Sequence, residues 1–142
     1  MPERVLVPLD GSPLADEALR HALEAFDCEV TVINVVTPVD AAMSEGGLLE
    51  PDDDRLAAAR ERADQLIERA REQAASEDRT IQTDVVTGDP ADAILEYVAE
   101  HDVDHVVMGG HGSDRGSAIR RLLGTVATTV VGEATVSVTV VR

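Results

Sequence analysis

Two short segments of this 142-residue sequence carry residue types that suit the binding of an anion. Asp10-Gly11-Ser12 follows one apolar run, and Gly109-Gly110-His111-Gly112 follows another. Glycine lets backbone N–H groups approach an anion closely, and the N-terminus of a following helix adds a partial positive charge. A third segment, Gly124-Thr125, predicts a break in a helical pattern, an N-cap hydroxyl and a new helix start. Together these segments predict a phosphate site.

The charge of the glycine-rich region favours the same chemistry. Residues 109–125 contain Arg115, Arg120 and Arg121 against Asp114 alone, so this segment carries +2 within a chain of net charge −16. Such a local inversion of charge suits a phosphate group. The alternative is that these arginines pair with neighbouring carboxylates of an acidic surface.

An alternation of apolar runs and helical stripes predicts the elements that must position these segments. Strands are predicted at residues 5–9, 30–36, 80–87 (an edge strand), 103–108 and 136–141. Helices are predicted at residues 13–26, from about 52 to 74, at 90–101, and along a stripe at 119–131 that Gly124 interrupts. We therefore expect an α/β fold: a single domain, residues 1–142, with a five-stranded parallel open sheet and helices on both faces, Rossmann-like.

Local residue types indicate where the predicted helices begin and end. Ser12 before Pro13, and Asp89 before Pro90, each predict an N-cap followed by the first helical residue. Gly132 predicts a left-handed stop after the last helix. Residues 37–51 show no clear periodicity and predict a long loop or lid.

Ligands of open parallel sheets bind beyond the carboxyl ends of the strands, where the strand order reverses. If the first and fourth strands each start one half of the sheet, they are neighbours at that point. Asp10 and Gly109 would then lie side by side. Two such segments at neighbouring strand ends indicate a ligand site more strongly than either segment alone.

Composition excludes several classes of function. All twelve basic residues are Arg, which eliminates the P-loop lysine and Schiff-base lysines. The single cysteine, Cys28, cannot form an intrachain disulfide, and His101 and His105 do not share a helical face, so no metal site is expected. A charge of −16 repels nucleic acid. No apolar run reaches the length of a membrane span, so we expect a soluble, cytoplasmic protein.

The acidic, lysine-free composition is typical of proteins from salt-accumulating archaea. Molar salt screens the self-repulsion of such a surface. We therefore favour a halophilic origin, with an acidic protein from a GC-rich genome as the alternative.

Four motifs, in order along the whole chain, resemble the universal stress protein family. They are Val-Pro-Leu-Asp-Gly-Ser-Pro at 7–13, Gly-Asp-Pro at 88–90, Val-Met-Gly-Gly-His-Gly at 107–112 and Leu-Leu-Gly-Thr-Val at 122–126. ATP-binding members carry Gly-x2-Gly-x9-Gly-Ser/Thr around the phosphates. Here eleven residues, not nine, separate Gly112 from Gly124.

The resemblance implies a site for ATP or AMP, with Mg²⁺ as a possible companion of the phosphates, and assigns each matching residue a role. Asp10, beside Pro8, would contact the nucleoside, and the backbone of Val35 would contact the adenine. The positions that would line the ribose and the phosphates, or hold the phosphates, are Gly109, His111, Gly112, Gly124, Thr125 and Val126.

The function implied is therefore a regulatory module that binds adenine nucleotide and forms a homodimer through its last strand. Two alternatives stay open. The first is a dimeric stress-response scaffold that binds no nucleotide, which the longer glycine loop would permit. The second is a slow ATPase, for which the sequence offers no lysine, no evident general base and no paired-carboxylate metal motif.

Overall fold

The computed structural model describes residues 3–37, 53–110 and 124–142. Its elements in chain order are β1 Arg4–Pro8, α1 Pro13–Ala25, β2 Glu29–Val36, α2 Asp53–Ala75, β3 Gln82–Thr87, α3 Pro90–Glu100, β4 His105–Gly109, α4 Thr125–Glu133 and β5 Ser137–Val141. Strands and helices alternate, which confirms the predicted α/β fold class.

The described strands form one parallel sheet in the order β3-β2-β1-β4-β5. β1 lies at the centre, and its Val5 pairs with Val30 of β2 on one side and His105 of β4 on the other. The chain builds the sheet outward from β1 to β3, then crosses back to β4. The strand order therefore reverses between β1 and β4, as predicted, and β3 is an edge strand.

Two of the described helices pack on each face of the sheet, and each face has its own core. α1 and α2 pack on one face against Val5, Val7 and Val32. α3 and α4 pack on the other face against Leu6 and Ile33. Successive side chains of a strand point to opposite faces, so the near-continuous apolar strands serve both cores.

Two helix starts confirm the predicted caps. The Ser12 hydroxyl oxygen accepts a hydrogen bond from the Ala15 N–H at 3.2 Å, and Pro13 is the first residue of α1. The Asp89 carboxylate accepts one from the Asp92 N–H at 3.2 Å, ahead of α3. Both caps are local features, so residue type alone located them.

The two predicted boundaries of the last helix were wrong. Gly124, not Thr125, is the N-cap of α4, and Thr125 is the first helical residue. Gly132 does not end the helix, which continues to Glu133. Ala134 follows in an extended conformation (φ −67°, ψ 142°) while its N–H still bonds Val130 O, so the chain enters β5 without a left-handed residue.

Several predictions concern residues outside the described ranges. They are the long loop beyond residue 37, the helical stripe before Gly124, and the roles of His111 and Gly112. Within residues 3–37, 53–110 and 124–142, no helix has both the length and the apolar character needed to cross a membrane.

Candidate functional site

A cavity of about 220 Å³ lies where the carboxyl ends of β1 and β4 meet. Its described lining comes from six elements, β1, α1, β2, α3, β4 and α4, and from residues beside them. The lining residues are Pro8, Leu9, Asp10, Ser12, Ala15, Val35, Pro90, Ile94, Met108, Gly109, Gly124, Thr125, Val126 and Ala127. The cavity thus lies at the reversal of strand order, where the sequence predicted a ligand.

Seven of the nine predicted site residues line this single cavity. Asp10 and Pro8 enter from β1 and its loop, and Val35 enters from β2. Gly109 lies at the end of β4, and residues 124–126 start α4. The structure therefore brings together positions that are more than 100 residues apart in the chain.

The loop after β1 holds the Asp10 carboxylate in a defined orientation. Its Oδ1 accepts a hydrogen bond from the Ser12 N–H at 2.9 Å. Gly11 between them has φ +86°, a conformation that residues with a Cβ rarely adopt. Asp10 remains exposed, so its second oxygen can accept a hydrogen bond from a ligand hydroxyl.

The start of α4 offers main-chain donors from two of the three residues that the resemblance named there, Thr125 and Val126, but not from Gly124. The Gly124 N–H donates to Gly110 O at 2.5 Å, so this N–H is already used within the protein. The N–H groups of Thr125, Val126 and Ala127 are the first of the helix and have no intrahelical acceptor. These three donors, rather than Gly124, are the groups that can face an anion.

Close packing within the protein is one reason why Gly109 lacks a side chain. A Cβ on Gly109 would lie 3.0 Å from both the carbonyl carbon and the Cβ of Leu14, and 3.1 Å from Ala15 N. The end of β4 therefore packs directly on the first turn of α1. This close contact keeps β4 and the Asp10 loop adjacent.

Sequence reasoning missed the apolar wall of the cavity. Ile94 and Met108 are buried on the α3 and α4 face and line the cavity together with Pro90. Their types are those of ordinary core residues, so nothing in the sequence distinguished them. They offer a flat, planar ligand group an apolar surface.

Among the ionisable groups of the described residues, three have displaced pKa values, and none of the three lines the cavity. Burial, then Asp84, raises the pKa of Tyr97. Hydrogen bonds from the Glu3 and Arg4 N–H groups lower the pKa of Asp104. Burial lowers the pKa of His105. Among the described residues, no group of three or more His, Cys, Asp or Glu side chains could hold a metal ion.

The fold and the cavity define a class: a Rossmann-like α/β protein with a cavity at the reversal of strand order. The model of the universal stress protein family matches residues 1–142. Universal stress protein MJ0531 of Methanocaldococcus jannaschii is 31% identical over 145 residues, covering 99% of this chain and 82% of that protein. This chain belongs to the universal stress protein family.

Two solved structures share the fold. UspA from Lactobacillus plantarum superimposes with a TM-score of 0.80 at 24% identity, covering 98% of this chain and 97% of that one. A universal stress protein family protein from Arabidopsis thaliana with AMP bound has a TM-score of 0.70 at 21% identity, covering 99% and 91%. At these identities the likeness concerns the fold.

Proposed function

We propose that this chain is a regulatory module that binds an adenine nucleotide, AMP or ATP with Mg²⁺, in the cavity between β1 and β4. The observation that carries the proposal is that three unlike groups meet around this cavity: an oriented carboxylate, an apolar wall and a helix N-terminus. A nucleotide has a matching group for each of them. The AMP bound to the Arabidopsis relative supports this ligand class.

Each part of the nucleotide has a proposed partner. The Asp10 carboxylate accepts hydrogen bonds from ribose hydroxyls, and the Val35 main chain meets the edge of the adenine. The N–H groups of Thr125 and Val126 donate to phosphate oxygens, where the helix dipole adds to the attraction. His111 and Gly112 are proposed as further ribose and phosphate contacts by family resemblance.

The described lining suits a site that binds a nucleotide better than one that hydrolyses it. Among the described lining residues, Asp10 is the one carboxylate, and no second one lies beside it to complete a metal-assisted hydrolytic site. The Asp10 side chain is also tied to the Ser12 N–H. We therefore propose a module that senses nucleotide rather than one that consumes it.

The test is titration of AMP, and of ATP with Mg²⁺, into the purified protein in molar KCl. Asp10→Ala removes the ribose contact, so the affinities for AMP and ATP should fall alike. A hydrogen bond with one charged partner contributes about 1.5–3 kcal/mol, roughly ten- to a hundredfold in affinity. Asp27→Ala is the matched control, since Asp27 is exposed and precedes β2 at the amino ends of the strands, opposite the cavity.

Gly124→Val probes the phosphate end separately. Gly124 has φ −66° and ψ 165°, which valine also adopts, so the substitution adds bulk at the cavity rim without backbone strain. The substitution should weaken the binding of ATP more than the binding of adenosine. Millimolar or absent binding by the folded wild type would refute the nucleotide function and favour the empty scaffold. Release of ADP with time would instead identify an ATPase.

A further inference from the structure

Besides Thr31, Asn34 is the buried polar residue of strand β2. Its side chain is buried, with 7% exposure, and its Nδ2 donates a hydrogen bond to Leu9 O at 2.8 Å. A buried amide without a partner would be costly, so this bond is required once the amide is there. The bond does not by itself explain why strand β2 has an amide at this position.

The hydrogen-bond ladder between β1 and β2 supplies the answer. The Leu9 N–H donates to Ile33 O at 2.8 Å, and this is the last ladder bond where β1 ends. In a regular parallel ladder, one residue forms two bonds with the neighbouring strand. Its N–H donates to the carbonyl of one residue there, and its own C=O accepts from the N–H two residues further along that same strand. Leu9 O would therefore accept from the Val35 N–H. Instead it accepts from the Asn34 side chain.

Val35 is the residue whose main chain then faces the cavity. Alternate residues of a strand direct their N–H and C=O to opposite neighbours, and Ile33 directs its C=O to β1. Val35 therefore directs its N–H and C=O to the same side, where β1 has ended at Pro8. In the described part of the chain, the Val35 N–H forms no main-chain hydrogen bond with Leu9 O, which accepts from the Asn34 side chain instead.

We infer that Asn34 is a positioning residue for the nucleobase: by occupying Leu9 O, it keeps the Val35 N–H and C=O exposed to the cavity as an adjacent donor and acceptor. This pair matches the adenine edge, where N1 accepts and the 6-amino group donates. The inference rests on the proposed nucleotide function and deepens it. An apolar residue at position 34 would leave Leu9 O to the Val35 N–H and remove the donor from the site.

The test compares AMP with 1-deaza-AMP, which lacks the N1 acceptor, on wild type and Asn34→Leu. The wild type should bind AMP about three- to tenfold more tightly than 1-deaza-AMP, the effect of one neutral hydrogen bond. In Asn34→Leu the two ligands should bind equally. Thr31→Val is the matched control: Thr31 is also a buried polar residue of β2, at 8% exposure, and does not line the cavity. That variant should keep the wild-type ratio.

This ratio separates positioning from general stability. If Asn34→Leu merely loosens the fold, it will weaken the binding of both ligands and preserve the ratio of their affinities. That result would overturn the role of Asn34. A wild type that binds both ligands equally would overturn it as well, while leaving the nucleotide function standing. A wild type that binds neither ligand would refute the nucleotide function itself.

Amide hydrogen exchange of the ligand-free wild type tests the same arrangement without a variant or a nucleotide. The Val35 N–H should exchange faster than that of Ile33, which pairs with β1. In Asn34→Leu, or in Asn34→Val if the leucine variant does not fold, Val35 exchange should slow toward that of Ile33. Exchange of Val35 as slow as that of Ile33 in the wild type would contradict the inference.

Discussion

At the scale of single residues, two glycines of this chain should respond in opposite ways to the same substitution. A methyl group on Gly109 would lie 3.0 Å from the backbone of Leu14, whereas nothing lies within 4 Å of one on Gly132. We expect Gly109→Ala to reduce the free energy of unfolding by about 1–3 kcal/mol, because α1 and β4 must separate. Gly132→Ala, inside α4, should raise it by up to about 1 kcal/mol.

Denaturant unfolding in molar KCl measures both changes on the same scale. The pair forms its own control, since both variants add one methyl group. Equal effects of the two substitutions would mean that the contact between β4 and the first turn of α1 is not a close one. Loss of nucleotide affinity in Gly109→Ala would be secondary to displacement of the Asp10 loop.

His105 makes stability depend on pH. Its Nε2 lies 2.7 Å from Thr139 Oγ1 and its ring centroid 4.9 Å from that of Phe26. Burial, then the nearby His21, lowers the pKa of His105 below 6.5. Below that pH the unfolded chain binds a proton that the folded chain does not, so the free energy of unfolding should fall as pH decreases below about 6.5.

An NMR titration of the His105 ring checks the direction of the shift directly. His105→Gln should flatten the stability profile between pH 5 and 7, since the neutral amide keeps a polar group near Thr139. A His105 pKa at or above 6.5 would contradict the prediction. Protonation of Asp104, whose pKa is lowered from 3.8, also reduces the free energy of unfolding, but at a lower pH than the effect of His105.

The residues of the candidate site were predictable to different degrees. Asp10 and Gly109 stood out because charged and glycine residues directly follow apolar strands. Asn34 did not, because one amide in a strand is commonly a satisfied core group, and its partner Leu9 O became visible only with the fold. The predicted use of the Gly124 N–H failed for the same reason: its acceptor, Gly110 O, is set by tertiary structure.

At the scale of elements, the end of α1 is closed by a side chain from another part of the chain. The Arg79 guanidinium donates to Leu23 O at 2.6 Å, Phe26 O at 2.8 Å and Cys28 O at 2.9 Å. α1 has no basic residue in its own last turn, so Arg79 supplies the positive charge that a helix C-terminus favours. This contact also ties α1 to the segment that follows α2.

We expect Arg79→Ala to lower the free energy of unfolding by about 2–4 kcal/mol, since three carbonyls lose a charged donor. Arg79→Lys should recover only part of this, because an ammonium group lacks the planar fork. The control is Arg69→Ala: the Arg69–Asp16 pair is 3.1 Å apart but exposed, so its loss should cost less than about 1 kcal/mol. Similar effects at positions 79 and 69 would contradict the capping role.

Element order and the starts of α1 and α3 were predictable, whereas the two boundaries of α4 were not. The Ser12 and Asp89 side chains each accept a bond from the N–H three positions further along the chain, so local sequence contains the information. Gly132 carries a local stop signal that the structure does not use. The chain instead leaves α4 through an extended Ala134, because β5 must start directly beside β4.

At the scale of the whole molecule, a net charge of −16 on 142 residues should make stability depend strongly on salt. Self-repulsion acts over about 10 Å at 0.1 M salt and about 3 Å at 1 M. We expect the melting temperature to rise steeply between low and molar KCl, with NaCl giving the same curve because screening does not depend on the cation. A melting temperature that does not change with salt concentration would contradict a halophilic origin.

β5 is an outer strand of the described sheet and offers main-chain groups for assembly. Gly110 N–H donates to Val141 O at 2.8 Å, so Val141 and, by alternation, Thr139 direct their main chain to β4. Val138 and Val140 therefore direct theirs outward, where the described residues add no further strand. We propose that a second copy of β5 pairs with these groups across a two-fold axis.

Proline can test this edge without breaking the sheet, because it removes only the outward N–H. Val138→Pro should convert the dimer into a monomer of 15.1 kDa, since one of the bonds across the axis is lost and its ring blocks close approach. Val85→Pro on the opposite edge strand, β3, is the matched control and should remain dimeric. Sedimentation in molar KCl at tens of micromolar distinguishes the two states. A monomeric wild type, or a dimer disrupted by Val85→Pro but not by Val138→Pro, would contradict pairing through β5 and place the contact elsewhere.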